Sequence, residues 1–446
     1  MSRIKIYKNE SIDSVGAGFN IFTKNATIET NIWHELKKFN NFKEIDTIYE
    51  DLFVLSLSVL ACDKRLSRKD TPDAWTRQIE LVVPIINNDI FTENKTLIDK
   101  MLSFLTGDLW NISFYKTNYR HFAKNKYKHN GIDFVYDFVS LFSGGLDSFC
   151  GAINFFENGG KGLFIGNKEN RLMDQTQKDL FKDVLNYYPN NNSAFCSFNV
   201  DVHKIISNGE EKDSEEKTTR SRSFMFICSA LLFSNISGKN SLKIYVPENG
   251  FIGLNLPLTP SRPGSCSTRT THPYYFSLFN QLLDELGLQN RIINPYRFNT
   301  KREIVVSVQN TAAFKNGFHK TLSCSHPCAQ RWSGKSSTNE NCGKCYPCLI
   351  RQSSLCHLAD FESKEPKNVN ALFSRSARGM DNVYAVINAV YVFKNSDEKT
   401  IKRRINATGY LSHDEVENYY KVYKATMNDL IELFKNEDIK KIIEGK

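Results

Sequence analysis

Apolar residues recur along this chain at two alternating periods, and the alternation predicts its architecture. Short strand-like runs, Ile4-Lys5-Ile6-Tyr7, Asn20-Ile21-Phe22-Thr23 and Gln78 to Ile85, surround a stretch from Thr47 to Cys62 in which Ile48, Leu52, Leu55, Leu57 and Leu60 fall at helical spacing. Residues 1–135 therefore read as an α+β accessory region, by default a structural extension, otherwise a platform for a partner or a gate for substrate. From about 134 to 310 strands are expected at Phe134–Phe142, Gly162–Ile165, Ala194–Val200, Leu242–Val246 and Arg291–Ile293. Helices are expected between them at 149–157, 172–187, 222–236, 274–287 and 301–310. Strict strand–helix alternation predicts an α/β fold with a doubly wound parallel sheet, whose ligands bind outside the carboxyl ends of the strands. One segment breaks the rhythm: 208–221 has no apolar residue and reads as a solvated loop, with Arg220 and Arg222 at its end as candidate phosphate contacts. Residues 361–446 read as a helical C-terminal extension. Its best stripe, within Val416–Ile443, contains Leu430, Ile431, Leu433, Phe434, Ile439, Ile442 and Ile443, expected to pack on the main body.

Composition narrows this picture slightly. With 446 residues, 41% hydrophobic and 12% aromatic, the chain can bury two or three cores. No run of about 18 apolar residues is present and Met1 to Ile6 lacks a signal-peptide core, which predicts a cytoplasmic protein without a membrane span. A net charge of +9, spread rather than blocked, permits contact with nucleic acid but does not indicate it.

The chemistry begins at residues 143–148, Ser-Gly-Gly-Leu-Asp-Ser, between the first expected strand of the alternating region and its first helix. There a row of backbone N–H groups and two hydroxyls meets a helix N-terminus, a natural seat for phosphate. Ser143, Gly144, Gly145, Leu146, Asp147 and Ser148 are thus candidate ATP-binding residues. Asp147 would repel phosphate directly, so it is read as holding Mg²⁺ or a metal-bound water. The loop lacks a Walker A ending, is too short for a dinucleotide fingerprint, and resembles the pyrophosphate loop of N-type ATP pyrophosphatases.

Six of the eleven cysteines lie between Cys324 and Cys356. Cys342, Cys345 and Cys348 are spaced i, i+3, i+6, and Cys324 is the best fourth ligand for a closed, structural Zn²⁺ site. An iron–sulfur cluster or a metal-free reduced set are the alternatives, with His326, Cys328, Cys356 and His357 as spare ligands. Cys62, Cys150, Cys196, Cys228 and Cys266 read as small buried hydrophobes.

The loop and the segment Thr321-Leu322-Ser323-Cys324 … Cys342-Gly343-Lys344-Cys345-Tyr346-Pro347-Cys348-Leu349-Ile350-Arg351 together resemble the 7-cyano-7-deazaguanine synthase (QueC) family over about residues 136–360. The resemblance implies a Rossmann-like pyrophosphate-loop domain that uses ATP to adenylate 7-carboxy-7-deazaguanine. It further implies phosphate binding by 143–148, a helix-opening arginine at Arg222, and a Lys-x-Glu at Lys301 and Glu303 in which Lys301 stabilises charge. Where the family carries an Asp-Tyr-Gly-Gln-x-His segment, this chain reads Ile165-Gly166-Asn167-Lys168-Glu169-Asn170, with Gln175 and Gln177 further on. The segment Glu248 to Leu258 is also longer than a simple βα turn. These departures and the added terminal regions are similar to enlarged QueC-like proteins of bacterial anti-phage defence cassettes, the QatC type among them.

This resemblance implies a ligase in which an amine, either ammonia or a group on a partner protein encoded in the same cassette, attacks the activated deazaguanine carboxylate. The alternatives are an ordinary synthase of queuosine biosynthesis, a tRNA-thiolating relative, or a nucleotide-binding scaffold without turnover.

Overall fold

A computed structural model describes residues 2–12, 16–40, 42, 44–123, 131–168, 171–212, 214–216, 219–258, 269–325, 340–365, 367–374 and 379–445. Two sheets organise the described residues. The first contains β1 (Ser2–Lys8), β2 (Ala17–Ile21), β3 (Ile28–Thr30), β4 (Gln78–Ile85) and β5 (Leu109–Lys116). Pairing is parallel between β1 and β2, β1 and β4, β2 and β3, and β4 and β5. The expected α+β region is therefore α/β in character. The helix Thr47–Arg65 lies in the connection from β3 to β4 and Lys95–Thr106 in the crossover from β4 to β5, whereas β1, β2 and β3 are joined by short connections without a helix among the described residues.

The second sheet contains β6 (Phe138–Leu141), β7 (Gly162–Asn167) and β8 (Ala194–Phe198). Between this sheet's third and fourth strands the chain returns to the first sheet as β9 (Val200–Val202), β10 (Ile205–Ser207) and β11 (Glu210–Lys212). It then completes the second with β12 (Lys243–Tyr245) and β13 (Arg291–Ile293). All pairings within the second sheet are parallel, in the order β13-β12-β6-β7-β8.

Part of the expected solvated loop is thus a hairpin. Asn208 and Gly209 both have positive φ, 51° and 78°, the conformation of a two-residue hairpin turn, and Ile206 faces Glu211 across it. The polar composition of 208–221 concealed this, because β11 is an exposed edge strand that buries little.

Helices cover both faces of the second sheet. On one side Val139, Leu163, Ile165, Ile244 and Ile292 share a core with Arg222–Asn235 and Pro273–Glu285. That core continues through Thr47–Arg65 into the first sheet. Being packed against both sheets explains why almost all of Thr47–Arg65 is buried, including Glu50, which pairs with the buried Lys8 at 2.6 Å. On the other side Phe138, Phe142 and Phe164 pack with Leu146–Glu157, Arg171–Leu185 and Lys301–Val308. This core extends into the C-terminal helices Asp381–Lys394, His413–Leu433 and Glu437–Glu444, so the extension packs on the main body as its apolar stripe predicts. No helix among the described residues is long and apolar enough to cross a membrane.

The strand order reverses between β6 and β12. The longer helices that follow these neighbours, Leu146–Glu157 after β6 and Pro273–Glu285 after β12, lie on opposite faces, the arrangement at whose strand ends doubly wound sheets form their ligand crevice.

Candidate functional site

Residues 143–148 leave β6 on one side of the crevice. Gly144 has φ +77°, a backbone state that an L side chain adopts only with strain, and an added Cβ would stand 3.2 Å from Gln177 Cγ. The turn is held from within: Gly145 N–H donates to Ser143 Oγ at 3.2 Å, and Ser148 Oγ donates to the Gly145 carbonyl at 3.0 Å. Gly145 caps the helix Leu146–Glu157 without a side-chain acceptor, so the first turn is not closed by a capping side chain of its own.

Asp147 lies in the first turn of that helix and is buried. Its Oδ1 accepts from Lys301 Nζ. Its Oδ2 accepts from the backbone N–H of Asn249 at 3.0 Å and from Asn249 Nδ2 at 2.8 Å. Burial raises the Asp147 carboxyl, but the charge of Lys301 and the hydrogen bonds around it prevail and hold it at about 2. The expected magnesium-holding carboxylate is therefore an ion-pair and hydrogen-bond acceptor here. A metal ion at Asp147 requires Lys301 to withdraw first.

Lys301 and Asn249 approach from the other side of the crevice. Thr300 and Glu303 form a reciprocal capping box at the start of Lys301–Val308 and so fix the lysine beside Asp147. Glu303, taken from the sequence as half of a functional Lys-x-Glu, is thereby accounted for as a cap. Asn249 follows β12 and is fully buried; its Oδ1 caps Gly250–Leu254 through Ile252 N–H at 3.0 Å, while Nδ2 also donates to Glu248 Oε1 at 3.0 Å. Burial first, and then the negative charge of Asp147, push the Glu248 carboxyl well above its ordinary range. Two carboxyls thus share one lysine, with Asp147 ionised and Glu248 inclined to keep its proton.

Glu248 and Asn249 open the segment that the sequence marks as longer than a simple βα turn, but the sequence assigns neither residue a role. The nearest signal was their position, directly after a strand at the sheet's carboxyl edge. Behind Asn249 the helix Gly250–Leu254 is braced by Phe251, whose ring lies 5.6 Å from Tyr423 and 6.2 Å from Tyr346.

The third wall is the cysteine segment. Leu322 N–H donates to the Gly144 carbonyl at 2.9 Å, and Leu146 N–H donates to Ser323 Oγ at 3.3 Å. One residue further on, Cys324 joins Cys342, Cys345 and Cys348, all four sulfurs lying within 4.8 Å of one another. Cys324 and Cys345 Sγ are 3.8 Å apart, and Cys342 and Cys348 Sγ are 3.9 Å apart. Four sulfurs each about 2.3 Å from one tetrahedral ion would be separated by roughly 3.8 Å. The cluster could therefore hold a single metal ion such as zinc. The sulfurs of a multi-iron cluster bind different metals and stand further apart.

Gly343 makes the knuckle possible: φ is +77°, and a Cβ would fall 2.0 Å from the Lys367 carbonyl. Arg351, fully buried, anchors the upstream strand by donating to Thr321 Oγ1 at 2.5 Å and to the Phe318 carbonyl at 2.9 Å, with Glu365 as its counter-charge at 2.7 Å.

Of the spare ligands, the two among the described residues do not join this set. Cys356 Sγ accepts from Arg302 at 3.1 Å, His357 pairs with Gln309 at 2.8 Å, and His326 and Cys328 lie outside the described residues, as does Cys266. Cys62, Cys150, Cys196 and Cys228 are buried free thiols.

The two arginines proposed as phosphate contacts lie elsewhere. Arg220 is buried in the first region, donating to the Thr106 carbonyl at 2.8 Å and stacking 4.0 Å from the Trp75 ring centre, so it is a structural cation there. Arg222 opens Arg222–Asn235, 5.8 Å from the ring of Phe226, which in turn neighbours Phe198 at the end of β8, two strands from the loop. Gln177 does reach the loop, donating to the Ser143 carbonyl at 3.1 Å. Set against known proteins, the chain matches no family model and no curated protein sequence.

Proposed function

We propose that this chain is an ATP-dependent C–N ligase of the QueC-like kind, built on a Rossmann-like pyrophosphate-loop domain. It would adenylate a 7-deazaguanine carboxylate, release pyrophosphate and pass the acyl group to an amine. One observation carries the reading: Ser143–Ser148 forms a glycine turn at a helix N-terminus whose N-cap residue, Gly145, offers no capping side chain, where the strand order of the parallel sheet reverses. Such a position gathers backbone N–H groups and helix dipole toward a phosphate. Ser143, Gly144, Gly145, Leu146, Asp147 and Ser148 would hold the ATP phosphates, and Mg²⁺ would supply charge neutralisation beside Asp147. Lys301, released from Asp147, would lie where it could face the departing negative charge. The four-cysteine site is read as structural Zn²⁺ that keeps Leu322 and Ser323 against the loop. No covalent nucleophile is required. The acceptor is ammonia or an amine of a partner protein encoded in the same anti-phage defence cassette.

The test is incubation with ATP, Mg²⁺ and 7-carboxy-7-deazaguanine, with and without candidate partners, followed by pyrophosphate measurement and intact-mass analysis. Pyrophosphate release that depends on the deazaguanine is expected. A nitrile, an amide or a mass shift on protein then identifies the acceptor. Pyrophosphate no higher than with ATP alone overturns the reading.

A second reading is a nucleotide-binding scaffold without turnover, favoured by the complete pairing of the Asp147 carboxylate. An Asp147→Ala variant that folds and retains full anti-phage protection would select it.

A further inference from the structure

A second polar cavity lies away from the crevice, at the amino ends of β1 and β4. It encloses about 610 Å³ and is roofed by the hairpin β10–β11, which the chain contributes from between β8 and the helix Arg222–Asn235. A volume of this size suits a small-molecule ligand.

Its charge is unbalanced. Among the described residues, Arg3, Arg65, Arg77 and Lys212 line it against a single carboxylate, Asp70. Arg77 is neutralised from behind: its guanidinium donates to Asp63 Oδ1 and Asp108 Oδ2, both at 2.6 Å. The other three cations have no acidic partner within ion-pairing distance among the described residues. Arg65 is held by carbonyl oxygens alone, its Nη2 donating to Val202 at 2.5 Å and its Nε to the same oxygen at 3.2 Å. Carbonyl partners aim a guanidinium without cancelling its charge.

Behind the cavity wall, Arg68, Arg77 and Arg220 meet Asp63, Asp108 and Glu216. Burial, followed by the nearby Arg68, lowers Arg220 to about 10. The charge of the cavity is therefore set by the cations of its own lining.

We propose that this cavity is a binding site for a small phosphate monoester, with Arg3, Arg65 and Lys212 as its cationic contacts. Three cations against one carboxylate match the charge of a phosphate monoester, which approaches −2 near neutral pH, better than that of a single carboxylate ligand. The hydroxyls of Ser67 and Ser207 offer further polar contacts to its oxygens. Arg65 is the preorganised member, fixed before the ligand arrives, whereas Arg3 and Lys212 are exposed and close from the rim. The site is independent of the chemistry proposed for residues 143–148.

The test is isothermal titration calorimetry of the full chain at low salt, with inorganic phosphate and ribose 5-phosphate as separate probes. Saturable binding of at least one probe is expected, and the stronger one shows whether the cavity takes free phosphate or an organic ester. Arg3→Glu and Lys212→Glu alter exposed side chains and should each weaken binding about tenfold or more, as loss of a charge-assisted contact predicts. Arg65→Met should abolish it, provided its circular dichroism and thermal transition show a folded chain. Lys435→Glu, an exposed charge on the C-terminal extension, should leave it unchanged. Absence of saturable binding for both probes overturns the proposal, as does binding unaffected by both cavity charge reversals or lost equally in Lys435→Glu.

Discussion

Replacing Asp147 by Asn tests the centre of the crevice, because the change keeps the shape of the side chain and removes its charge. In the native arrangement Lys301 and Asp147 are both buried and paired, with Asn249 supplying two more hydrogen bonds to the carboxylate. Removing one partner of such a pair leaves the other charge buried and uncompensated, at a cost of about 3–5 kcal/mol. An asparagine amide also turns a donor toward Lys301 or Asn249, both already donors, so relaxation cannot recover the loss. Lys301→Met alone should be similarly destabilising, since Asp147 would then face Glu248 without a cation. The Asp147→Asn/Lys301→Met double variant should lose about 2 kcal/mol less than the sum of the single losses, the coupling expected of directly interacting residues. Urea denaturation of the four proteins, followed by far-ultraviolet circular dichroism, gives this cycle. If each single change costs under about 1 kcal/mol and the two simply add, within the usual error of about 0.5 kcal/mol, Asp147 and Lys301 are not the buried pair described above. Glu248 supplies an internal control: it keeps its proton more readily than an ordinary glutamate and should become easier to ionise in Asp147→Asn, because the carboxylate that opposes its ionisation is gone.

Two further outcomes probe other parts of the fold. Gly343→Ala places a Cβ 2.0 Å from the Lys367 carbonyl in a left-handed turn, so it should cost at least about 2 kcal/mol and shed metal. Elemental analysis should find close to one zinc per chain in the wild type and much less in the variant; iron with labile sulfide would refute the single-ion geometry. His272, buried as the cap of Pro273–Glu285, accepts from Tyr274 N–H through Nδ1; burial first, and then Arg269, lower it to about 3 from its ordinary 6.5. Between those values the unfolded chain takes up a proton that the folded chain refuses. Stability should therefore fall as pH drops from about 6.5 toward 3, by up to about 1.4 kcal/mol per pH unit from this residue. His272→Asn retains a capping oxygen, so its plot of stability against pH should be flatter than that of the wild type; identical slopes would refute the assignment.

Legibility in the sequence followed how locally each feature is encoded. All five strands of the second sheet match expected strands; the apolar run is clearest in β7, which is buried along nearly its whole length between the two cores. The Ser143–Ser148 loop and the four cysteines were legible because their chemistry fixes residue type and spacing together. Glu248 and Asn249 were not, since their roles arise from the chance of topology that puts the end of β12 beside Asp147. Leu109–Lys116 lies outside the strand-like runs expected of residues 1–135, although Trp110 and Ile112 alternate with exposed neighbours as in a half-buried strand. The Asn208-Gly209 turn was also present, but the acidic and basic residues after it suggested solvation more strongly than pairing. Arg220 shows the limit of position along the chain: it follows a polar segment as a ligand-contacting arginine would, yet the fold carries it into the acid–arginine network around Asp63.

The distance in sequence between the loop and the cysteine set has a direct structural explanation. Leu322 and Ser323 bond to Gly144 and Leu146, while Cys324, the next residue, joins the other three thiols. Asn341 bridges the two arms of the segment, accepting from Ser323 N–H at 3.0 Å and donating to the Thr321 carbonyl at 3.0 Å. Arg351 clamps Thr321 from the helix that begins at Tyr346, immediately after Cys345. A metal ion held by these thiols can contribute on the order of 10 kcal/mol to the order of its segment. That ordering is transmitted to residues 143–148 through two hydrogen bonds, not through contact between metal and ligand. Loss of the metal should therefore loosen the phosphate loop while leaving the sheet beneath it intact, which makes the four cysteines positioning residues for whatever the crevice binds.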